Sequence, residues 1–372
     1  MSLTKSSNEK KYVVFFQRIL NWIFYLIFLL IVAEVSASFA LDIYRKNRND
    51  STYFKSMDSS LAQELELVQR QLTLSQYRGY QNLSNFQGTK VITDAGGFRI
   101  DRRALDDRIK VGMFGGSTTF SVLTDQKGTI ADQISQQSDI YQVLNFGVGG
   151  YSTSAEIMTL VEAIRSYPNL RMAFFYDGVN ELGRAIEGGS KGVNPSESEF
   201  LLGTPYVDGI RSAIKNANGY GFSVNQSNLL YIYNRLLRPT ASISFDGIEF
   251  LSSVKERYFA NIKVLKGICN EYNLKCFFIV QPSIFSTKEF ALNESELSIK
   301  EKEIYGKLYP QLTEMILSDN RAKNYGVIDM TAALNNKSNT ERVFFDWHHL
   351  NSLGNKYIAD KIKVVIDNKI LD

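Results

Sequence analysis

Histidine is almost missing from this chain. Its 372 residues include two, His348 and His349, so any chemistry that needs an imidazole base is confined to one dipeptide. Cysteine is equally scarce: Cys269 and Cys276 are the only two, too few for a disulfide scaffold and with no neighbouring His or Cys to complete a metal set. They read as two small buried hydrophobes on adjacent elements. Only 6 prolines are present, which excludes collagen-like and proline-rich disordered chains. Charge of one sign is also lacking, since 42 Lys+Arg against 39 Asp+Glu leaves a formal net charge of +3. Such a chain has no long-range field to draw it onto a phosphate backbone, and nucleic acid is not an expected partner. What is plentiful is apolar material, at 44% hydrophobic and 12% aromatic residues, enough to bury at least one sizeable core.

One stretch is too apolar for an ordinary domain. Ile19 to Ala40 reads ILNWIFYLIFLLIVAEVSASFA, about the length that a helix needs to cross the hydrocarbon of a bilayer. Glu34 is its one charge and lies toward one end, while Trp22 and Tyr25 lie near the other, where amphipathic rings favour the headgroups. We read residues 1–18 as a tail and 19–40 as an uncleaved transmembrane anchor. A cleavable signal peptide is the alternative, because Val35-Ser36-Ala37 and Ser38-Phe39-Ala40 both resemble small-residue cleavage sites. Lys5, Lys10, Lys11 and Arg18 before the span are balanced by Arg45, Lys46, Arg48 and Lys55 after it, so charge does not orient it. A short tail ahead of a first span usually stays in the cytoplasm. The expectation is therefore a single-pass membrane protein whose main domain is extracytoplasmic, periplasmic or on the cell surface.

Residues 41–95 read as a juxtamembrane linker with an amphipathic helix over 59–76. Leu61, Leu65, Val68 and Leu72 form its seam. So short a helix is marginal alone, and packing on the main domain is preferred to dimerisation.

Beyond it, five candidate strands alternate with amphipathic stretches: 109–114, 141–145, 171–176, 274–280 and 326–329. The intervening helices include 153–165, 254–272 and 352–367. Continuous apolar strands separated by helices predict an α/β domain, a flavodoxin-like parallel sheet covered on both faces, preceded by one transmembrane helix. In such sheets ligands bind beyond the carboxyl ends of the strands.

Four segments sit at those ends. Gly115-Gly116-Ser117-Thr118 allows a sharp turn with the Ser117 hydroxyl at a helix start, though the same four residues also make an ordinary loop. The glycine-dense Asn145 to Ser152 offers backbone N–H groups of the kind that hold an oxyanion; a plain loop is the alternative, and the spacing is not that of a dinucleotide fingerprint. Asp177-Gly178-Val179-Asn180-Glu181 places a carboxamide donor at a third end, or else forms an Asx turn. Near the C-terminus, Asp346-Trp347-His348-His349 sets an Asp three residues before a His, where it can orient the imidazole. A zinc site lacks further ligands, and a surface histidine pair remains the other reading.

In this order the four segments resemble the blocks of the SGNH (GDSL-type) hydrolase superfamily over roughly Gly96 to the C-terminus, with Gly97-Phe98-Arg99 resembling a lead-in of some members. The resemblance implies that residues 96–372 form the hydrolase domain, interrupted by an insertion at about 183–250. It implies Ser117 as nucleophile, with Asp346 and His349 completing a triad and His348 as runner-up for the base. The Ser117 N–H, Gly150 and Asn180 would form the oxyanion hole, with no metal and no cofactor. Two departures stand out: Gly116 occupies the usual Asp position of the Gly-Asp-Ser block, and Glu181 follows Asn180 where an Asp is common. The implied activity is that of a membrane-anchored serine esterase or O-acyltransferase, acting on acyl, in the first place O-acetyl, esters of cell-envelope or exported carbohydrate. Tyr206, Tyr220, Tyr231 and Tyr233 of the insertion are available to stack on sugar rings. A non-catalytic glycan-binding or assembly module on the same fold is the alternative, and a lipase or thioesterase is a third.

Overall fold

A computed structural model describes residues 3–49, 57–75, 77–187, 247–287, 297, 301–335 and 342–370. The chain divides into two units, one containing the N-terminal helix and the other beginning at Met57. Helix α1 (Leu3–Asn49) carries an apolar stretch, Phe15–Ala40, with a mean hydropathy of 2.3 and 6% of its most apolar window buried. At about 1.5 Å per residue these 26 residues extend roughly 39 Å, more than the ~30 Å of a hydrocarbon core. The helix is thus long and apolar enough to cross a membrane, and a signal sequence passes the same test of length and composition.

In the second unit, α2 (Ser59–Arg70) starts where Asp58 accepts from the N–H groups of Ser60 and Leu61 at 2.9 and 3.1 Å, an N-cap of the usual kind. It ends earlier than the seam predicts, because the chain turns into a hairpin of β1 (Thr73–Ser75) and β2 (Gly79–Gln81). Leu65 and Val68 are nonetheless wholly buried, packed with Val91, Phe120 and Leu123. The helix packs on the domain, as expected.

The five remaining strands are β3 (Ile109–Gly115), β4 (Tyr141–Gly147), β5 (Leu170–Asp177), β6 (Lys275–Val280) and β7 (Val327–Asp329). They form one parallel sheet in the order β4-β3-β5-β6-β7, the doubly wound order of a flavodoxin-like sheet. Besides α2, the α-helices of this unit among the described residues are α3 (Ser117–Phe120), α4 (Ile130–Ser135), α5 (Thr153–Ser166), α6 (Val179–Glu187), α7 (Gly247–Glu271), α8 (Gly306–Leu317), α9 (Asn320–Tyr325) and α10 (Ser352–Lys369). They gather in two groups, α4 with α10 and α5 with α6, α7 and α8.

The strands are apolar on both sides because both sides are covered. One or two residues short of the strand ends, Phe146, Phe114, Phe175 and Phe278 stack across four neighbouring strands with centroids 4.9, 5.0 and 5.1 Å apart. The chemistry-bearing turns therefore stand on a platform of close-packed rings.

Cys269 and Cys276 are buried on adjacent elements, as expected, but they are bonded to each other rather than two separate apolar side chains. They form a disulfide with Cα atoms 6.2 Å apart. Asn273, at φ +53°, reverses the chain between α7 and β6, and residues seven apart in sequence are brought face to face. Most of the 183–250 insertion, including Tyr206, Tyr220, Tyr231 and Tyr233, lies outside the described residues.

Candidate active site

The turn after β3 is built by glycine for two different reasons. Gly115 has φ +153°, and a Cβ there would lie 2.1 Å from Thr119 Oγ1. Gly116 has an ordinary φ of −87°, but a Cβ would lie 1.9 Å from Asn180 Nδ2. The usual Asp of this block is excluded by space: the carboxamide of Asn180 occupies it. Ser117 follows as the first residue of α3. Behind the turn, the buried Arg99 guanidinium donates to the carbonyls of Phe120, Ser121 and Thr124 at 3.2, 3.0 and 2.9 Å. Thr118 Oγ1 ties the turn to Gln281 after β6 at 2.9 Å.

The Asp346–His349 turn closes on its own carboxylate. Asp346 Oδ1 accepts from the N–H groups of His348 and His349 at 2.9 and 2.7 Å, and the Ile284 N–H donates to the Trp347 carbonyl at 2.8 Å. The Trp347 ring stacks on Tyr305 with centroids 4.5 Å apart. These contacts set His349 between two partners: its Nδ1 lies 2.6 Å from Asp346 Oδ2 and its Nε2 lies 2.8 Å from Ser117 Oγ.

Charge settles the direction of these bonds. Burial alone would raise the Asp346 carboxyl, but the imidazoles of His349 and His348 and the hydrogen bonds it accepts hold it well below the usual carboxylate range. An ionised carboxylate only accepts, so the His349 Nδ1–H donates to it, and in the neutral form of the ring the Nε2 lone pair is left to accept the Ser117 hydroxyl proton. His348 is the wrong histidine for this task. Its ring is wedged between Trp347 and His349, with centroids 4.2 and 3.8 Å away. Burial first, then the charge of His349, push it down to about 3 against the pull of Asp346, so it stays neutral.

Asp346, His348 and His349 also bring three ligand-type atoms within 4.8 Å of one another. Asp346 and the Nδ1 of His349 are already engaged with each other, and no fourth His, Cys, Asp or Glu joins the group among the described residues, whereas a structural zinc site ordinarily takes four.

The two other strand ends converge on the same place. Asn180, in the first turn of α6, donates one Nδ2 hydrogen to the Tyr151 carbonyl at 2.6 Å, which leaves its second Nδ2 hydrogen for another acceptor. Gly150, at φ +80°, lies in the same loop as Tyr151. Glu181 accepts from the Thr153 N–H with Oε1 and from the Gly178 N–H with Oε2, each at 2.9 Å. One carboxylate therefore staples the loop after β4 to the loop after β5. Beneath them Asp177 is buried, and its carboxyl is raised well above the usual range by burial and then by the charges of Glu156 and Glu181. A separate cavity of about 430 Å³ lies against the edge strand β4, lined by Arg99, Asp132 and Gln142 among others, and holds none of these residues.

All five positions expected from sequence, Ser117, Gly150, Asn180, Asp346 and His349, thus fall at one end of the sheet. Sequence reading missed the supporting residues. Arg99 was visible only as part of a lead-in. Arg184, which donates to the Gly150 carbonyl, stands one helical turn beyond Asn180, a spacing that puts both on one helix face. Tyr80, in the hairpin, carries no signal of its own.

No protein-family model matches the chain, and no curated protein matches it. Among solved structures it is similar to a putative lipolytic protein of the G-D-S-L family from Desulfitobacterium hafniense DCB-2, at 12% identity and a TM-score of 0.39, covering 69% of this chain and 99% of that one. A G-D-S-L family lipolytic protein from Veillonella parvula DSM 2008 shows 12% identity and a TM-score of 0.41 over 69% and 98% of the two chains. The acetyl xylan esterase AlAXEase shows 17% identity and a TM-score of 0.35 over 69% and 100%. A likeness at these identities is one of fold, and the roles of residues in this chain rest on its own geometry.

Proposed function

We propose that this chain is a serine esterase or O-acyltransferase that works through an acyl-enzyme on Ser117. The observation that carries the proposal is the unbroken line of contacts from Ser117 Oγ through the His349 imidazole to Asp346, at 2.8 and 2.6 Å. A serine hydroxyl is a poor nucleophile at neutral pH, and an adjacent base supplies the missing reactivity. As Ser117 Oγ bonds to the ester carbonyl carbon, its proton passes to His349 Nε2, and Asp346 stabilises the imidazolium. The developing oxyanion is received by the Ser117 and Gly150 N–H groups and by the free Asn180 Nδ2–H. Collapse breaks the ester C–O bond, and the leaving alkoxide takes the proton from Nε2. Water then releases the acid, or a sugar hydroxyl takes the acyl group, with His349 again accepting the proton.

The natural substrate in this reading is an O-acyl, in the first place O-acetyl, ester of cell-envelope or exported carbohydrate. Its support is the resemblance of the four blocks together with α1, which would hold the domain at a membrane surface. The disulfide supports an extracytoplasmic domain, because such bonds persist in oxidising compartments.

The test uses the full chain in detergent, wild type and Ser117→Ala, exposed to a serine-directed fluorophosphonate and weighed intact. The expected result is one adduct on wild type and none on the variant, together with turnover of a model acetyl ester that requires Ser117. A folded wild type that takes no adduct and turns over no ester would leave the fold as a binding module.

A further inference from the structure

The hairpin β1–β2 precedes every block of the site in sequence, yet it reaches the loop that contains Gly150. Tyr80 is fully buried, with its ring edge-on to Tyr151 at 5.2 Å between centroids. The Tyr80 hydroxyl donates to the Gly149 carbonyl at 2.8 Å. It accepts from the Arg184 guanidinium at 3.0 Å, and the same guanidinium nitrogen donates to the Gly150 carbonyl. In return, the Tyr151 hydroxyl donates to the Tyr80 carbonyl. The hairpin is itself held by Arg78, which donates to the Gly96 carbonyl at 2.9 Å and to Gln81 at 2.8 Å and pairs with Glu162 at 2.8 Å. With Asn180 on the Tyr151 carbonyl, three successive carbonyls of the loop, at 149, 150 and 151, each accept from a side chain of another element.

The carbonyl of Gly149 and the N–H of Gly150 belong to one peptide plane and point in opposite directions across it. A donor that fixes the carbonyl therefore fixes where the N–H aims. Glycine at position 150 would otherwise let that plane rotate, since it has no Cβ to restrict it. A hydrogen bond into the carbonyl also polarises the amide and strengthens its N–H as a donor.

We propose that Tyr80, working with Arg184, is a positioning residue for the oxyanion hole: it holds the Gly149 carbonyl so that the Gly150 N–H faces the developing oxyanion. The inference rests on the Ser117 esterase reading. It makes the segment between α1 and the sheet a working part of the site. The N–H is called on once charge has formed on the carbonyl oxygen, so misaiming it falls on kcat and spares KM.

The experiment compares the full chain in detergent, wild type and Tyr80→Phe, on p-nitrophenyl acetate, with active sites counted by fluorophosphonate titration. Tyr80→Phe keeps the ring and removes one hydroxyl. The expected result is a kcat per titrated site lowered about tenfold, a fraction of the hundred- to thousand-fold that loss of a whole donor costs, with KM changed less than about twofold. A merely structural role would lower the count of active sites or the melting temperature and leave kcat per site unchanged, and that result overturns the inference. Should Tyr80→Phe fail to fold, Arg184→Lys decides in its place: one ammonium cannot hold both the Tyr80 hydroxyl and the Gly150 carbonyl in the guanidinium's fork geometry. Its kcat per site is expected to fall while KM holds, and an unchanged value overturns the inference. Wild type without turnover would overturn the Ser117 reading and this inference with it, whereas an active wild type matched by its variants would overturn this inference alone.

Discussion

At the scale of single residues, the site is governed by who occupies the space beside Ser117. Gly116 has an ordinary φ, so what opposes a side chain there is the space it would enter. Its Cβ would fall 1.9 Å from Asn180 Nδ2 and 3.0 Å from the Tyr151 carbonyl, and the carboxamide must leave. On the proposed mechanism, with Asn180 as an oxyanion donor, Gly116→Ala is therefore expected to lower kcat by roughly a hundred- to a thousand-fold, the cost of losing one such donor. Asn180→Ala removes the same donor, so the double variant should be no slower than Asn180→Ala alone. A double variant whose losses simply multiply would show that the two act separately.

Asp177 gives a second residue-level expectation, this time in stability against pH. Its carboxyl is raised by burial and by the neighbouring charges of Glu156 and Glu181, so the folded protein keeps a proton that the unfolded chain releases in the usual carboxylate range. Below that range both states hold the proton and the group has no effect. As pH rises through it, the unfolded state gains by ionising and the folded state loses relative stability. Asp177→Asn keeps a neutral polar group in the same place. It is expected to flatten the decline in melting temperature from mildly acidic to neutral pH, and parallel wild-type and variant profiles would rule this out.

At the scale of elements, the sheet was legible because each strand is a short, apolar, β-rich run between helical periods, and the carboxyl ends of β3, β4 and β5 carry glycine. The block of Asp346 and His349 was legible for a similar reason: both groups lie in one tight turn, three residues apart, and the only other imidazole of the chain is the adjacent His348. Contacts between distant segments left no trace in any local pattern. Tyr80 on Gly149, Arg99 on the turn after Ser117, and Glu181 between two loops are all set by the fold as a whole. The disulfide belongs to this class, since a spacing of seven names no partner until Asn273 reverses the chain between α7 and β6. It closes a short loop, for which the chain-entropy account gives roughly 2 kcal/mol. In a domain of this size that corresponds to about 3 °C. Melting the full chain in detergent with and without a membrane-permeant reductant should show a shift of that order, reproduced by the Cys269→Ala, Cys276→Ala double variant. Identical melts after both thiols have been shown to be free would remove the bond from any account of stability.

For the whole molecule, two independent features bear on where the domain works. α1 is apolar over Phe15–Ala40, and the Cys269–Cys276 bond persists where glutathione and thioredoxin do not reduce it. An uncleaved anchor with its tail in the cytoplasm satisfies both, because it keeps the protein in the membrane and sends the domain to the oxidising side. A signal peptide passes the same test of length and composition and would send the domain to the same side without holding it there. The two are separated by weighing the protein recovered from the membrane fraction after rapid acid quenching and alkylation. The expected mass is that of the full chain, with no alkyl group added before reduction and two added after it. Cleavage following Ala37 or Ala40 would remove the anchor and release the domain. Two alkyl groups added without reduction would instead place the domain in a reducing compartment, and exported carbohydrate would then be out of its reach.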